Sequence, residues 1–375
     1  MTLDDIALTF IPGLGVKGIA HLLELFGSAG EIFAASEERL VHDALLRPEI
    51  ARNIVMRKGD AAAERELRRC RQHGIRPIAS TDPEYPALLR EIPDFPHLLY
   101  VMGSVEALSL RCISMVGTRR ISVYGQRLCN DLVEGLAAVP RLAVVSGMAF
   151  GADIACHRAA LAAGIPTIGV LANALPEITP AQHTAIAREI LDRGGAMITE
   201  LSSQSKQKGT FYLPRNRIIA AISAGTVVIE SPAAGGSLIT AQLADGYNRT
   251  VMAPPGRTTD ANSFGTNALI RNRKAVLIRT ANDIIEELQW EFNLSPEEAV
   301  PESTTSDLTP DERKLLALIT DEPRTADELI HAGGYDFNTL STLLIGLELA
   351  GFIRQLPGNR YERLKCNPVI RKTWN

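Results

Sequence analysis

Four segments in the middle of the chain combine glycines, cations and aromatic rings at spacings suited to holding phosphates and bases. Val116-Gly117-Thr118-Arg119-Arg120 sets a glycine, where a backbone can come close to an anion, ahead of two guanidinium forks that can grip it. Ser146-Gly147-Met148-Ala149-Phe150-Gly151-Ala152-Asp153 is glycine-rich and runs into a helix-forming stretch, whose first unpaired N–H groups form an anion seat. Glu230-Ser231-Pro232-Ala233-Ala234-Gly235-Gly236-Ser237 repeats that design, with Gly236 and Ser237 able to hold a further phosphate and Glu230 placed to meet a ribose. Between these lies Lys206-Gln207-Lys208-Gly209-Thr210-Phe211-Tyr212-Leu213-Pro214-Arg215-Asn216-Arg217, with four cations and two adjacent aromatics in twelve residues. Cations for phosphates beside rings for unstacked bases suit a single nucleic-acid strand.

Each segment also has a plainer reading. The first is a tight turn with solvated arginines, and Arg215-Asn216-Arg217 caps a buried helix, with Asn216 bonding backbone and Arg217 paired to a carboxylate. Asp153 reads as an N-terminal helix charge and His157 as a packed core histidine. Groups for bond-breaking are scarce. In these four segments the phosphate-loop pattern G-x-x-x-x-G-K-[ST] and the strict G-x-G-x-x-G are missing, and the chain has no H-E-x-x-H and no G-x-S-x-G. The other histidines, His21, His42, His73, His97, His183 and His331, lack metal-ligand spacing. No catalytic residue and no metal ligand is therefore assigned.

The elements that must carry these segments follow from periodicity. Short apolar runs, Cys112–Val116, Leu142–Val145, Thr167–Leu171, Ala196–Thr199, Thr226–Ile229, Thr250–Ala253 and Ala275–Ile278, alternate with helical stretches near Tyr124–Ala138, Ile154–Ala163, Ala181–Arg193, Arg215–Ile222 and Leu238–Tyr247. That alternation predicts βαβ units, hence an α/β class with a Rossmann-like, doubly wound, mainly parallel sheet over residues 111–289. Residues 1–110 read as a small helical domain with a proline-rich exit, in which no clear strand precedes Pro77-Ile78-Ala79. The acidic, Pro- and Ser/Thr-containing stretch 290–307 reads as a linker. In 308–375, Thr309 is an N-cap before an apolar helix, Thr325 starts a second helix, and Asn338–Ala350 is a third. Strand, turn and strand follow from Phe352, the order of a winged helix-turn-helix.

The net charge of −4 argues against a nucleic-acid partner only until it is divided. Residues 1–110, 111–289 and 290–375 carry −4, +5 and −5, so a basic middle lies between acidic ends. Five cysteines, odd in number and without a C-x-x-C pair, argue against a disulfide framework and a zinc knuckle. No apolar run reaches the roughly 20 residues of a membrane span, and the acidic N-terminus does not resemble a secretory leader, so a cytoplasmic protein is expected.

The motifs in order, Val116-Gly117-Thr118-Arg119-Arg120 with Tyr124-Gly125, Ser146 to Asp153, Arg215-Asn216-Arg217-Ile218-Ile219-Ala220, Gly236-Ser237-Leu238-Ile239-Thr240-Ala241 and Pro255-Gly256, resemble those of the DNA-processing protein A (DprA/Smf) family across the whole middle domain. The resemblance implies a sterile-alpha-motif-like (SAM-like) helical N-terminal domain and a winged-helix C-terminal domain. It also implies a single-stranded DNA-binding protein, not an enzyme, that protects incoming DNA and helps load the RecA recombinase during natural transformation. A homodimer and no cofactor are implied as well. Carried over residue by residue, Arg119 is the DNA-holding arginine, with Gly117, Ser146 and Gly147 lining the pocket. The family usually reads F-P-x-R-N-R, whereas Phe211-Tyr212-Leu213-Pro214 precedes Arg215 here, leaving Phe211 or Tyr212 as the stacking ring and Lys208 as the basic candidate. The resulting DNA-binding set is Gly117, Thr118, Arg119, Ser146, Gly147, Lys208, Phe211, Tyr212, Arg215, Asn216, Arg217, Gly236 and Ser237.

Two rivals come from other classes. A Rossmann-like nucleotide phosphoribohydrolase, similar to the lysine-decarboxylase-like enzymes, would use Glu230 as acid and Gly235-Gly236-Ser237 as phosphate seat, although its P-G-G-x-G-T-x-x-E is only faintly echoed. A transcription factor would read duplex with the winged helix, yet Asn338–Ala350 has no basic residue, which favours a protein contact there. Ile11-Pro12-Gly13-Leu14-Gly15 resembles a helix-hairpin-helix turn, or is simply a glycine-rich helix connection.

Overall fold

Near-continuous apolar runs need cover on both faces, and the sheet has it. In the computed structural model, which describes residues 1–205, 212–290, 308–319, 323–349, 352–356 and 359–363, the chain forms two compact units, Met1–Asn293 and Leu294–Asn375. The first contains nine strands: β1 Arg76–Ala79, β2 Leu98–Gly103, β3 Arg111–Val116, β4 Leu142–Gly147, β5 Thr167–Val170, β6 Ala196–Thr199, β7 Gly225–Val228, β8 Thr250–Ala253 and β9 Val276–Leu277. They lie in the order β1-β2-β6-β5-β4-β3-β7-β8-β9. From β6 through β9 every neighbouring pair is parallel, while β2 joins β6 and β1 joins β2 antiparallel.

The helices of this unit are α1 Leu3–Thr9, α2 Val16–Phe26, α3 Ala29–Ala34, α4 Glu37–His42, α5 Pro48–Val55, α6 Asp60–Gln72, α7 Ala87–Arg90, α8 Val123–Leu136, α9 Ala152–Ala162, α10 Thr184–Asp192, α11 Tyr212–Ile222, α12 Gly236–Gly246, α13 Phe264–Arg271 and α14 Ala281–Glu287. Alternate residues of the central strands feed the two faces. Ile113, Met115 and Val144 pack with Leu132 and Val133 of α8, Cys156 and Ala159 of α9 and Ile284 of α14. Cys112, Val116, Ala143 and Val145 pack with Ile218 and Ile219 of α11 and Ala241 and Ala244 of α12. At roughly 25 cal/mol per Å² of apolar surface removed from water, these two layers are the main force holding the strand ends in register.

The doubly wound, mainly parallel sheet is as the apolar runs predict. Two elements differ from the sequence reading. Leu98–Gly103, within a region expected to be helical with a proline-rich exit, is the strand β2, and β1 and β2 extend the sheet into residues N-terminal to the expected border at 111. The run Leu-Leu-Tyr-Val-Met is as continuously apolar as the runs read as strands, but Pro93 and Pro96 just before it place it in the proline-rich exit. The N-terminal helices α1 to α5 enclose their own core of Leu8, Ile11, Leu22, Ile32, Leu40 and Ile54. There Gly13 turns at φ +83° and Asn53 Nδ2 donates to the Pro12 carbonyl at 3.2 Å, closing the α1–α2 hairpin. By contrast, α6 packs on the sheet, its Ala63 and Cys70 sharing a core with Tyr100, Met148 and Met197.

The chain leaves β3 outward through β4, β5 and β6, then returns to the other side of β3 for β7, β8 and β9. The loops after β3 and β7 thus part in opposite directions and open a crevice at the carboxyl edge, where ligands of such sheets bind.

In the second unit, α15 Pro310–Leu318, β10 Arg324–Thr325, α16 Ala326–Gly333, α17 Phe337–Leu349, β11 Ile353–Leu356 and β12 Arg360–Arg363 form the expected winged helix, with strand order β10-β12-β11. Thr309 and Thr325 both close capping boxes, with Glu312 and Glu328. The core is Leu315, Leu329, Leu340, Leu344, Leu347 and Ile353. The expected linker, from residue 291 to 307, lies outside the described residues.

Candidate nucleic-acid interface

Three of the glycine loops meet at the switch point and are sewn together by backbone. Thr118 donates its N–H to the Glu230 carbonyl at 2.7 Å, and its own carbonyl accepts from Ala152 N at 3.0 Å. The loop after β3 is therefore bonded to the loop after β7 and to the first turn of α9. Gly151 turns at φ +83°, and a β-carbon there would collide with the Thr118 carbonyl and stand 2.7 Å from the Arg119 Cα. At Gly147 a β-carbon would strike the Asp153 carboxylate and come within 2.7 Å of Arg215 Nη1. Gly147, expected to let a ligand approach, is needed first because protein groups press against it.

Several candidates for DNA contact are turned inward. Ser146 is buried and donates to the Met115 carbonyl at 2.6 Å. Ser237, also buried, donates to Ser231 Oγ at 2.9 Å. Arg215, 7% exposed, sends Nη1 to the Val170 carbonyl at the end of β5, and its Nε donates to Asn216 Oδ1 at 3.1 Å. Arg217, 8% exposed, is ion-paired with Glu200 and has Nε 3.7 Å from Asp94 Oδ2. This is the plainer arrangement foreseen for Arg217, a cation paired to a carboxylate, while Asn216 bonds Arg215 rather than backbone. Glu230 is buried and accepts from Ser122 N at 2.9 Å and Ser122 Oγ at 2.5 Å. Ser122 Oγ in turn accepts from Gly125 N at 3.0 Å, capping α8.

Burial governs the charges around this floor. It pushes the Asp153 carboxyl above its ordinary range, against the Arg215 guanidinium and the Ala149 N–H that favour the anion. His157 is enclosed, and burial lowers its pKa to about 4. Its Nε2 donates to the Gly147 carbonyl at 2.8 Å, and its Nδ1 lies 2.7 Å from Thr167 Oγ1, which itself donates to the Val144 carbonyl at 2.8 Å. It is a core histidine that holds the end of β4. Between about pH 4 and 6.5 the unfolded chain binds a proton at His157 that the folded chain refuses, so stability rises with pH across that window. His157→Asn should flatten the slope of unfolding free energy between about pH 4.5 and 6.5, worth up to ~3 kcal/mol, as read by denaturant titration; an unchanged slope would refute the assignment.

What faces solvent at the edge is different. Arg119 and Arg120 are exposed, Gly117 and Thr118 half-buried, and Gly236 exposed at the start of α12. Neither α9, preceded by Gly151, nor α12, preceded by Gly235, has a capping side chain; the first turn of α9 is buried with its Ala152 N–H on the Thr118 carbonyl, whereas α12 starts at exposed Gly236, and both turn the positive end of the helix dipole toward this edge. Lys208 and Phe211 lie outside the described residues, and Tyr212 begins α11.

Sequence reasoning missed the supports. Asn262 Nδ2 donates to the Arg120 carbonyl at 2.9 Å while its carbonyl accepts from Ser231 N at 2.7 Å, and Tyr124 Oη donates to the Pro255 carbonyl at 3.1 Å. Asn267 exchanges two bonds with Gly256, at 3.1 and 3.0 Å. These tie the loop after β8 to those after β3 and β7. On the far side, buried Glu66 of α6 accepts from Ser203 N at 2.8 Å and Ser203 Oγ at 2.6 Å, fixing the loop after β6. Those partners stand 137 positions apart, and nothing local in the sequence marks them.

Comparison with known proteins follows the same division. The family model described as DNA recombination-mediator protein A matches residues 76–289, and the DprA winged helix domain model matches 299–359. Protein Smf of Escherichia coli is 34% identical over 296 residues, which span 77% of this chain and 77% of that protein. The DNA processing protein DprA of Bacillus subtilis is 34% identical over 60% of this chain and 75% of its own length. Among solved structures, DNA processing protein A from Streptococcus pneumoniae superposes with a TM-score of 0.67 at 28% identity, covering 78% of this chain and 99% of that one. DNA processing protein A from Helicobacter pylori, described for its single-stranded DNA binding mode, gives 0.52 at 25% identity, covering 58% and 96%.

Proposed function

Since the chain belongs to the DNA recombination-mediator protein A family, we propose that it binds single-stranded DNA along the carboxyl edge of its sheet. The observation that carries this reading is Arg119, exposed at the switch point beside α9 and α12, two helix N-termini without capping side chains. Arg119 grips one phosphate, Gly117, Gly236 and the N-terminus of α12 receive its neighbours, and Thr118 and Gly147 shape the loops that carry them. Lys208 adds a cation, and Phe211 or Tyr212 a face for a base. Arg215, Asn216 and Arg217, with Ser146 and Ser237, act from beneath by holding strand ends and loops in place. The H. pylori relative's described single-strand binding supports the ligand class.

On this reading the protein is a binding protein and not an enzyme, with no cofactor. It protects incoming DNA in the cytoplasm and helps load RecA in natural transformation as a homodimer, with residues 1–110, 111–289 and 308–375 as its working parts. The winged helix contacts protein: α17 exposes Phe337 and Ile345 and carries no cation among its described residues.

The test is a titration of the full chain with single-stranded and duplex oligonucleotides at several salt concentrations. Single strands should bind more tightly, with affinity falling steeply as salt rises. Arg119→Ala should weaken single-strand binding roughly tenfold, the loss of a charge-assisted bond, and reduce the salt slope by about 0.7. Unchanged affinity and slope in Arg119→Ala would remove Arg119 from the site.

A further inference from the structure

We propose that Phe150, in the loop after β4, is a base-stacking residue next to Arg119; this rests on the single-strand reading above. Phe150 is 48% exposed in a loop whose other members are Met148, Ala149 and Gly151. It directly precedes Gly151, which packs so tightly on the loop after β3 that a β-carbon would stand 2.7 Å from the Arg119 Cα. An exposed ring and an exposed guanidinium therefore rise from two loops in backbone contact, bonded through Ala152 N to the Thr118 carbonyl at 3.0 Å.

The ring is also held in advance. His183 lies beneath it, buried, with ring centroids 4.6 Å apart at 65° in an edge-to-face pair. His183 is itself tethered through Nδ1, 2.7 Å from the Met148 carbonyl of the same loop. A ring fixed by its underside loses little freedom when a base covers its open half, so most of the stacking gain appears as affinity. Every base has a π-face, so the contact accepts any sequence, as a protein that receives unselected single strands requires. A phosphate on Arg119 thus has a platform for a base immediately beside it. Were Phe150 present only to shield His183, a leucine would serve equally well.

The experiment compares full-length wild type with Phe150→Ala, Phe150→Leu, Phe150→Tyr and Phe150→Trp, using labelled oligothymidylate and an abasic deoxyribose-phosphate oligomer of the same length. Stacking predicts roughly tenfold weaker oligothymidylate binding in the alanine and leucine variants, unchanged abasic binding, and wild-type affinity in the tyrosine and tryptophan variants. The added indole of Phe150→Trp should be quenched as oligothymidylate saturates. Equal losses on both oligomers, or none on either, overturn the proposal and leave Phe150 a packing residue. If the leucine variant binds oligothymidylate as wild type does, Phe150 is cover for His183. Failure of the wild type to bind oligothymidylate at all would instead overturn the single-strand reading on which this inference stands.

Discussion

Arg217→Met should cost about 3 kcal/mol of unfolding free energy, because it leaves Glu200, half-buried with its side chain 15% exposed, without its counter-charge. Arg217 touches two carboxylates from different parts of the chain, Glu200 just after β6 and Asp94 before β2, and Asp94 also accepts from Tyr247 Oη at 2.9 Å. Burial already holds the Glu200 carboxyl above its ordinary range despite the attraction of Arg217, with Asp94 adding repulsion. Removing the cation raises it further. A carboxyl whose folded pKa exceeds its unfolded one binds more protons when folded, so its cost grows with pH and is relieved by acid. The deficit of Arg217→Met relative to wild type should therefore shrink on going from neutral pH to about pH 5, and adding Glu200→Gln should recover part of it. Denaturant titrations of wild type and the two variants at both pH values decide this. A variant of wild-type stability that had lost single-strand binding would instead place Arg217 at the ligand.

Glu230→Ala should cost about 2–4 kcal/mol, combining a lost charge-assisted bond with a disturbed helix cap. Glu230 joins the end of β7 to the start of α8 by accepting from both Ser122 N and Ser122 Oγ, and a β-carbon on Gly125 would stand 2.6 Å from its Oε2. Without the carboxylate the Ser122 N–H loses its partner and Ser122 Oγ is no longer oriented toward Gly125. Glu230→Gln keeps one acceptor and should lose less, about 1–2 kcal/mol. The same pair tests the rival chemistry. A carboxylate occupied by two donors and buried is poorly placed to protonate a leaving base, so wild type and Glu230→Gln should both leave nucleoside monophosphates intact. Base release by wild type that disappears in Glu230→Gln would establish the nucleotide-cleaving reading instead.

How much of this was legible varies by element. The apolar runs 112–116 and 142–145 predicted β3 and β4 because each is long enough to cross a sheet and bounded by glycine. Leu98–Gly103 is an apolar run of the same kind, but Pro93 and Pro96 just before it place it in a proline-rich exit, and β6, which ties it into the parallel sheet, lies about a hundred residues later. For the site, residue type located the loops but not the direction of side chains. Arg119 and Arg215 read alike as cations in a phosphate-binding pattern, yet Arg119 is exposed while Arg215 is 7% exposed beneath Gly147. Phe150 stands in the second glycine loop with no role that its own stretch of sequence assigns, since nothing in its neighbourhood points to His183, 33 positions on.

The sequence by itself determined the βαβ order, the winged helix, the basic middle between acidic ends and the family, because those depend on local periodicity, residue type and motif order. Only the tertiary structure decided which cations remain at the surface and which serve as floor. That depends on where β3 and β7 diverge, on Glu200 and Asp94 arriving from elsewhere to neutralise Arg217, and on Asn262, Glu66 and His183 reaching across loops. A charge is kept inside only when a partner distant in the chain is brought to it, and that pairing is a property of the folded sheet.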